Sequence, residues 1–436
     1  MTTTARPPRG RTEPNSSGPN ASGPKRTGAG ATRVTLGGGR FTAQPSNYAF
    51  LLGVTLFMTV FGLIMVLSSS SVISHDDGGS FLGQFLKQSS FALVGIPLML
   101  LTSRIPTRFF RRWAWLLLAL TCGLQVLVVL TPLGVGKYGN KNWLQIGSLP
   151  AVQPSEAIKL AMVIWLGMFI ARKLDKIERW RQVLLPVLIV MGFAMGLVML
   201  GKDLGTVLIM AAIMLGALFF GGVPLRQLVT TVLVMGGAVV VFVLTNGSRM
   251  RRIGTFLDPS NASAGSTWQL QNGTYALASG GVFGVGLGNS HSKWDWLPSA
   301  DADFIFAIIG EELGLIGALL VLALFVLLTV AFLRIYHASP DPAGRVTTAA
   351  VMVWLIGQAL VNIAVVLGLL PTLGVPLPLF SSGGTAMISS LLAIGVVLSY
   401  AREIPSGEAP VPGRRDTRSR SSASARAAHS ARGRRR

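Results

Sequence analysis

From residue 48 onward the chain is a succession of nearly continuous apolar runs, each ended by a short polar, glycine- or proline-bearing stretch. Ten runs approach the ~20 residues that an α-helix needs to cross a hydrocarbon core of ~30 Å. They fall at roughly 48–70, 84–102, 113–131, 154–171, 183–200, 204–221, 228–246, 304–333, 348–370 and 384–400. The pattern predicts an all-α polytopic membrane protein with ten transmembrane helices.

The segments between the runs are of two kinds. Those after the second, fourth, sixth and eighth runs are short and basic, whereas the others carry glycine, proline, tryptophan and mixed charge. The largest, 247–302, lies between the seventh and eighth predicted helices. Structureless loops past ~15 residues either work or are disordered, and its Trp, Leu, Tyr and Phe content argues against disorder. Within it, WQLQNGTYALASGG predicts a short amphipathic helix lying at the interface. The chain thus divides into a basic tail (1–47), a membrane domain (48–402) and an Arg-rich tail (403–436). Both tails have the composition of disordered segments, and the first lacks the apolar stretch of a cleaved signal.

Composition agrees with a membrane protein. Only 13% of residues are charged, about half the share usual in soluble domains, and the mean hydropathy is +0.57. The formal net charge of +21 would suit a nucleic-acid partner, but its placement does not. Of 38 Lys/Arg, 29 fall in the tails and the short loops on the tails' side, against 7 of the 17 acids. This is the positive-inside asymmetry, which predicts that both termini are cytoplasmic and that the larger loops face outward. Attraction to anionic headgroups accounts for the tails, and no nucleic acid is expected. The single cysteine, Cys122, lies inside a predicted span and allows no disulfide framework.

Polar side chains inside apolar runs mark the candidate chemistry. LPSADADFIFAIIGEELGLIG (297–317) carries Asp301 and Asp303 at the start of a helix and Glu311 and Glu312 about 12 Å deeper. Asp303 reads either as an N-cap or as a functional acid. The glutamates are costly at that depth unless paired or facing water. Glu156 and Lys159 share a helix face behind Pro154-Ser155, so they form either a local pair or one in which Lys159 meets Glu311 or Glu312. Asp203 in GKDLGT caps the next helix or lines a site. PTLGVPLPLFSSGGTAMISS (371–390) predicts irregular backbone at membrane depth, which requires protein or a water-filled cavity around it. Arg249, Arg251, Arg252 and Lys293 run against the outward charge trend. They suit a pyrophosphate or headgroup phosphate, whose geometry the guanidinium fork matches, or serve as interfacial anchors. His291 either lines the same region or is a solvated loop histidine. No HExxH, Walker, nucleophile-elbow or CxxC sequence occurs.

The runs GLIMVLSSSS (62–71), NWLQIGSLPAVQPSEAIKLA (142–161), KDLGT (202–206), RIGTFLDP (252–259), 265–314 and PTLGVPLPLFSSGG (371–384) together resemble the SEDS family of shape, elongation, division and sporulation proteins. The resemblance covers 48–402. It implies a ten-helix bundle and a peptidoglycan glycosyltransferase that polymerises lipid II on the outer face of the plasma membrane, with undecaprenyl pyrophosphate leaving. The family's essential aspartate falls on Asp303. Glu156, Lys159, Glu312, Asp203, Arg252 and Lys293 fall on family polar positions, and Ser382, a candidate substrate contact, stands in the Ser-Tyr-Gly-Gly pattern, here Ser-Ser-Gly-Gly. Two other departures are Ala302 for Thr and Gly201-Lys202 for Gln-Pro. The early GLIMVLSSSSV and the long tails are most similar to the division branch, with the elongation branch next. The resemblance further implies a class B penicillin-binding protein and other division proteins as partners. A divalent cation such as Mg2+ or Mn2+ is a candidate cofactor, with no organic cofactor expected. Competing readings from the residues are a lipid-precursor flippase, which would concentrate ionisable groups near the midplane, and a non-catalytic scaffold.

Overall fold

The computed structural model describes residues 46–70, 83–137, 140–145, 150–245, 264–292 and 300–404, with a few isolated positions between them. The predicted tails lie almost wholly outside the described residues. The helices, in chain order, are α1 (Ser46–Ser70), α2 (Gly83–Thr102), α3 (Thr107–Leu130), α4 (Pro154–Ala171), α5 (Leu184–Leu200), α6 (Leu204–Phe220), α7 (Leu225–Thr245), α8 (Ala264–Ser279), α9 (Ile305–Ala338), α10 (Pro342–Val366) and α11 (Gly384–Arg402). Strands β1 (Gly134–Lys137) and β2 (Asn140–Leu144) pair antiparallel between α3 and α4, a hairpin that the apolar pattern does not announce.

Among the described residues, eight helices are long and apolar enough to cross a membrane. They are α1–α4, α7 and α9–α11. The two remaining apolar windows hold α5 and α6, at 17 residues each. At 1.5 Å per residue these reach only about 26 Å, short for the full hydrocarbon thickness. The chain is a multi-pass membrane protein. A helix does form in the largest loop, α8.

Burial sorts the bundle. α4, α10 and α11 bury 78%, 67% and 72% of their apolar windows, while α7 buries 17% and stands at the periphery. α10 packs on α4, α6 and α9, α11 on α2, and α3 on α4. With lipid outside being as apolar as the helices, these contacts rest on close packing and on a few buried polar bonds rather than on expulsion of water.

α9 is broken. At Gly314 the backbone takes φ 66° and ψ −161°, a region open essentially to glycine alone. The break frees helix donors and acceptors at membrane depth, where each must be satisfied by protein. The glycine-rich stretch 280–286 supplies them. Val285 and Gly286 N–H donate to the carbonyls of Glu311 and Glu312 (both 3.0 Å), and Leu315 and Ile316 N–H donate to those of Gly281 and Val282 (2.9 and 3.3 Å). A Cβ on Gly284 or Gly314 would collide with the opposing backbone. The repeated glycines therefore let two backbones meet inside the bundle.

Candidate active site

At the end of the bundle away from the arginine-rich loops, four irregular segments converge. They are 201–203, 280–292, 300–304 and 371–383. The last contains no helix or strand, as its prolines require, and its carbonyls need donors from neighbouring helices. α10 provides two of them on one face, one turn apart. Gln358 Nε2 donates to Pro376 O (2.8 Å), and Asn362 Nδ2 donates to Val375 O (2.8 Å). Ser381 closes the segment from within, its Oγ accepting from Leu377 N–H (2.7 Å) while its carbonyl accepts from Gln88 on α2 (3.0 Å).

The amide of Asn362 also donates to the main-chain oxygen of Asp303 (2.8 Å). Asp303 is therefore tied through its backbone to the same buried side chain that holds 371–383. Phe304, Ile305 and Phe306 follow it and are all buried, so the aspartate stands on a fixed mount. Its carboxylate is partly exposed and faces Gly374, at which a Cβ would lie 3.7 Å from Oδ2. The N-cap reading of Asp303 is not met. Phe304 occupies that position, and its side chain makes no cap hydrogen bond.

Asp301 binds the rim together. Its Oδ2 accepts from Ser382 Oγ (2.5 Å) and Gln84 Nε2 (3.1 Å), and its carbonyl accepts from Ser382 N–H (2.9 Å). Ser382, a predicted substrate contact, thus holds Asp301. Asp203 caps α6 as one of its two readings foresaw, accepting from Thr206 N–H (3.0 Å) and Thr206 Oγ1 (2.8 Å), and from Gln153 (3.2 Å). Lys202 beside it has φ 64°, a conformation closed to proline, so the Gln-Pro pattern cannot be accommodated here.

Below the rim lies a buried polar cluster. Lys159 Nζ pairs with Glu156 Oε1 at 2.6 Å and donates to Gln358 Oε1 at 3.0 Å. Trp354 Nε1 donates to the same oxygen (3.0 Å), and the ammonium sits 4.9 Å from the Trp354 ring centroid. The Glu156–Lys159 pair is therefore local. Pairing of Lys159 with Glu311 or Glu312 is overturned, because both glutamates serve the 280–292 segment instead. Glu311 accepts from Ser290 Oγ (2.6 Å) and from the N–H groups of His291 (2.9 Å) and Ser292 (3.3 Å). Glu312 accepts from Ser68 Oγ (2.5 Å), which in turn accepts from Gly288 N–H (3.0 Å). His291 itself is exposed. Arg251, Arg252 and Lys293 lie outside the described residues, as does Arg249.

Gln358, Asn362, Gln84, Ser68 and Ser290 were not legible as site residues. The signal for the first two was present, since two amides four residues apart interrupt an otherwise apolar run.

Comparisons with known proteins give the family and the fold. The family model for FtsW, RodA and SpoVE, described as "Cell cycle protein", matches residues 48–405. A protein of Mycobacterium tuberculosis named "Probable peptidoglycan glycosyltransferase FtsW" is 37% identical over 379 residues, covering 87% of this chain and 72% of that one. Stage V sporulation protein E of Bacillus subtilis is 34% identical over 364 residues, covering 83% and 98%. Among solved structures, a chain from work titled "Structural coordination of polymerization and crosslinking by a peptidoglycan synthase complex" superposes with TM-score 0.68 at 24% identity, covering 84% of this chain and all of that one. The rod shape determining protein RodA of Thermus thermophilus superposes with TM-score 0.60 at 24% identity, covering 84% and 99%.

Proposed function

The chain belongs to the FtsW/RodA/SpoVE family, and from that premise we propose that it is a peptidoglycan glycosyltransferase of the division type, polymerising lipid II at the extracytoplasmic face of the plasma membrane. The observation that carries this reading is Asp303. It is a partly exposed carboxylate at the rim of the bundle, held by its backbone to Asn362 and facing the irregular 371–383 segment.

In the proposed reaction the Asp303 carboxylate takes the proton of the acceptor sugar's 4-hydroxyl. The oxygen attacks C1 of the donor's N-acetylmuramic acid, the C1–O bond to the pyrophosphate breaks, and undecaprenyl pyrophosphate departs with inversion at C1. A positioned base contributes typically 10²–10⁴-fold. Because the leaving group is already stable as an anion, its charge needs neutralisation more than it needs an acid. Arg251, Arg252 and Lys293 are the candidates for that role.

Among the described residues no three His, Cys, Asp or Glu side chains gather to hold a metal. An ion of the Mg2+ type, which is held by one or two carboxylates and substrate phosphate, would be held here by Asp301 and Asp303. Such an ion would add charge neutralisation at the pyrophosphate, and no step above depends on it.

The division assignment rests on the 37% identity to an FtsW-named protein. A class B penicillin-binding protein is the proposed partner, which fits a structural neighbour solved as part of a peptidoglycan synthase complex that coordinates polymerization and crosslinking. The test is polymerisation of labelled lipid II by the purified full chain, with and without that partner. Asp303→Asn should insert normally and make no glycan, and wild-type glycan from it would overturn the proposal.

A further inference from the structure

At the opposite end of the bundle, three helix termini border an open cavity. It has a volume of about 550 Å³ and is lined by Arg108, Arg111 and Arg112 from the start of α3, Arg172 after the end of α4, and Asp341 and Pro342 at the start of α10. That size is within the ~300–1,000 Å³ of ordinary small-ligand sites. Four guanidiniums face one carboxylate. Asp341 caps α10 at Ala343 N–H and pairs with Arg111 at 3.3 Å. Among the described residues Arg108, Arg112 and Arg172 have no acidic partner within ion-pair distance.

The surroundings say what kind of anion fits. One side of the floor is apolar, formed by Met168 and Ala171. On α3, among the arginines and immediately past them, Phe109, Trp113 and Trp115 are exposed at 42%, 40% and 51%. Exposed Trp at the end of an apolar span marks the level of lipid headgroups. An arginine cavity at that level, with exposed aromatic and aliphatic surface running from it along the span, matches a molecule that carries a phosphate on an acyl body. A soluble anion would have no use for the second part. Basic pockets between membrane helices on the positive-inside face are the general form of phospholipid headgroup sites, and guanidinium forks suit phosphate oxygens.

We propose that this cavity is a specific site for the phosphodiester headgroup of an anionic phospholipid, remote from the rim that carries Asp303. Arg108, Arg112 and Arg172 hold the phosphate, while Arg111 is kept in place by Asp341. The site links α3, α4 and α10, and α10 is the helix whose far end fixes Asp303 and 371–383. Occupancy would therefore brace the scaffold of the reaction rim without touching substrate.

The experiment is native mass spectrometry of the full chain in detergent, titrated with phosphatidylglycerol or with phosphatidylcholine, together with the shift in thermal unfolding that each lipid produces. The wild type should retain phosphatidylglycerol selectively. Arg108→Gln/Arg112→Gln/Arg172→Gln should weaken that retention at least ~10-fold and abolish the lipid-dependent thermal shift. A control triple from the same basic loops but outside the cavity, Arg179→Gln/Arg181→Gln/Arg226→Gln, should keep both. If the cavity triple is not recovered from membranes, Arg172→Gln alone carries the same comparison, with an expected loss of ~5-fold. Equal losses in cavity and control variants, or no loss in either, would overturn the proposal in favour of diffuse attraction. Displacement of the lipid by millimolar inorganic phosphate would overturn it in favour of a soluble anion.

Discussion

The side-chain amide of Asn362 donates to the main-chain oxygen of Asp303 at 2.8 Å and, from the same nitrogen, to the main-chain oxygen of Val375 at 2.8 Å. One buried residue on α10 thereby fixes the reacting carboxylate's backbone relative to the loop it faces. Asn362→Leu keeps the volume and removes both donors. Leaving two carbonyls unsatisfied costs about 1–3 kcal/mol each, and the local backbone will shift to recover them. A displacement of ~1 Å at a reacting group can cost ~10²-fold. The expected outcome is a fall of about that size in lipid II turnover with the protein still membrane-inserted, read from steady-state kinetics beside a thermal unfolding curve. Unchanged turnover would show that Asp303 is held by something else.

The Glu156–Lys159 pair makes a separate statement about stability. Both side chains are almost fully buried, at 2.6 Å from each other. Removing one partner of such a pair costs ~3–5 kcal/mol, whereas replacing both with apolar or neutral groups is often close to neutral. Lys159→Met should therefore destabilise the protein strongly, since it also takes a donor from Gln358. Glu156→Gln with Lys159→Met should recover more than half of the loss. A double-mutant cycle on unfolding in detergent tests this, and additivity of the two single changes would refute a direct coupling.

Gly314 tests the broken helix. Its φ 66° and ψ −161° belong to glycine, and a Cβ there would run into Gly284 N and Val282 O. Gly314→Ala should push 280–286 away from α9. Hydrogen exchange is expected to rise at the Val285 and Gly286 amides, which bond to Glu311 and Glu312 carbonyls, and to stay slow at Ile308 and Ile309. Gly357→Ala on α10 meets nothing within 4 Å and serves as the contrast. It should be neutral or stabilising by ~0.5–1 kcal/mol.

These cases show which parts of the molecule are legible in the chain. The apolar windows are legible because a helix in lipid must be apolar all round its surface, so length and composition alone mark it. The cap by Asp203 and the local Glu156–Lys159 pair are each one of two readings that the chain offers, and they can be offered because both partners lie within three residues. The irregular backbone of 371–383 follows from its prolines. What fails is partner choice at long range. Glu311 and Glu312 are correctly read as acids that need donors, but depth alone does not say whether Lys159 or the 288–292 segment provides them. Gly314 sits in an apolar run that helix propensity scarcely disturbs, and its break becomes visible only with 280–286 beside it. Gln358 and Asn362 bond to carbonyls, which leave no trace in side-chain identity.

The last prediction concerns how the 280–292 segment is held beside the reaction rim. Glu311 accepts three hydrogen bonds, from Ser290 Oγ and from the amides of His291 and Ser292, and it is nearly fully buried. Bonds to an ionised acceptor contribute about 1.5–3 kcal/mol apiece. The two changes that probe this arrangement differ sharply in what they remove. Ser290→Ala deletes one donor and leaves both backbone bonds, so activity should stay within ~5-fold of wild type. Glu311→Leu keeps much of the volume but removes both acceptor oxygens, leaving the Ser290 hydroxyl and the two amides without their partner. The segment must then move, and with it the stretch that continues from Ser292 to Asp301 and Asp303. Glu311→Leu should therefore cost at least ~10²-fold in lipid II polymerisation, with faster proteolysis between 288 and 292 as the structural readout. If Ser290→Ala proves the more damaging of the two, the hydroxyl rather than the carboxylate is what fixes the segment, and the part assigned to Glu311 falls with it.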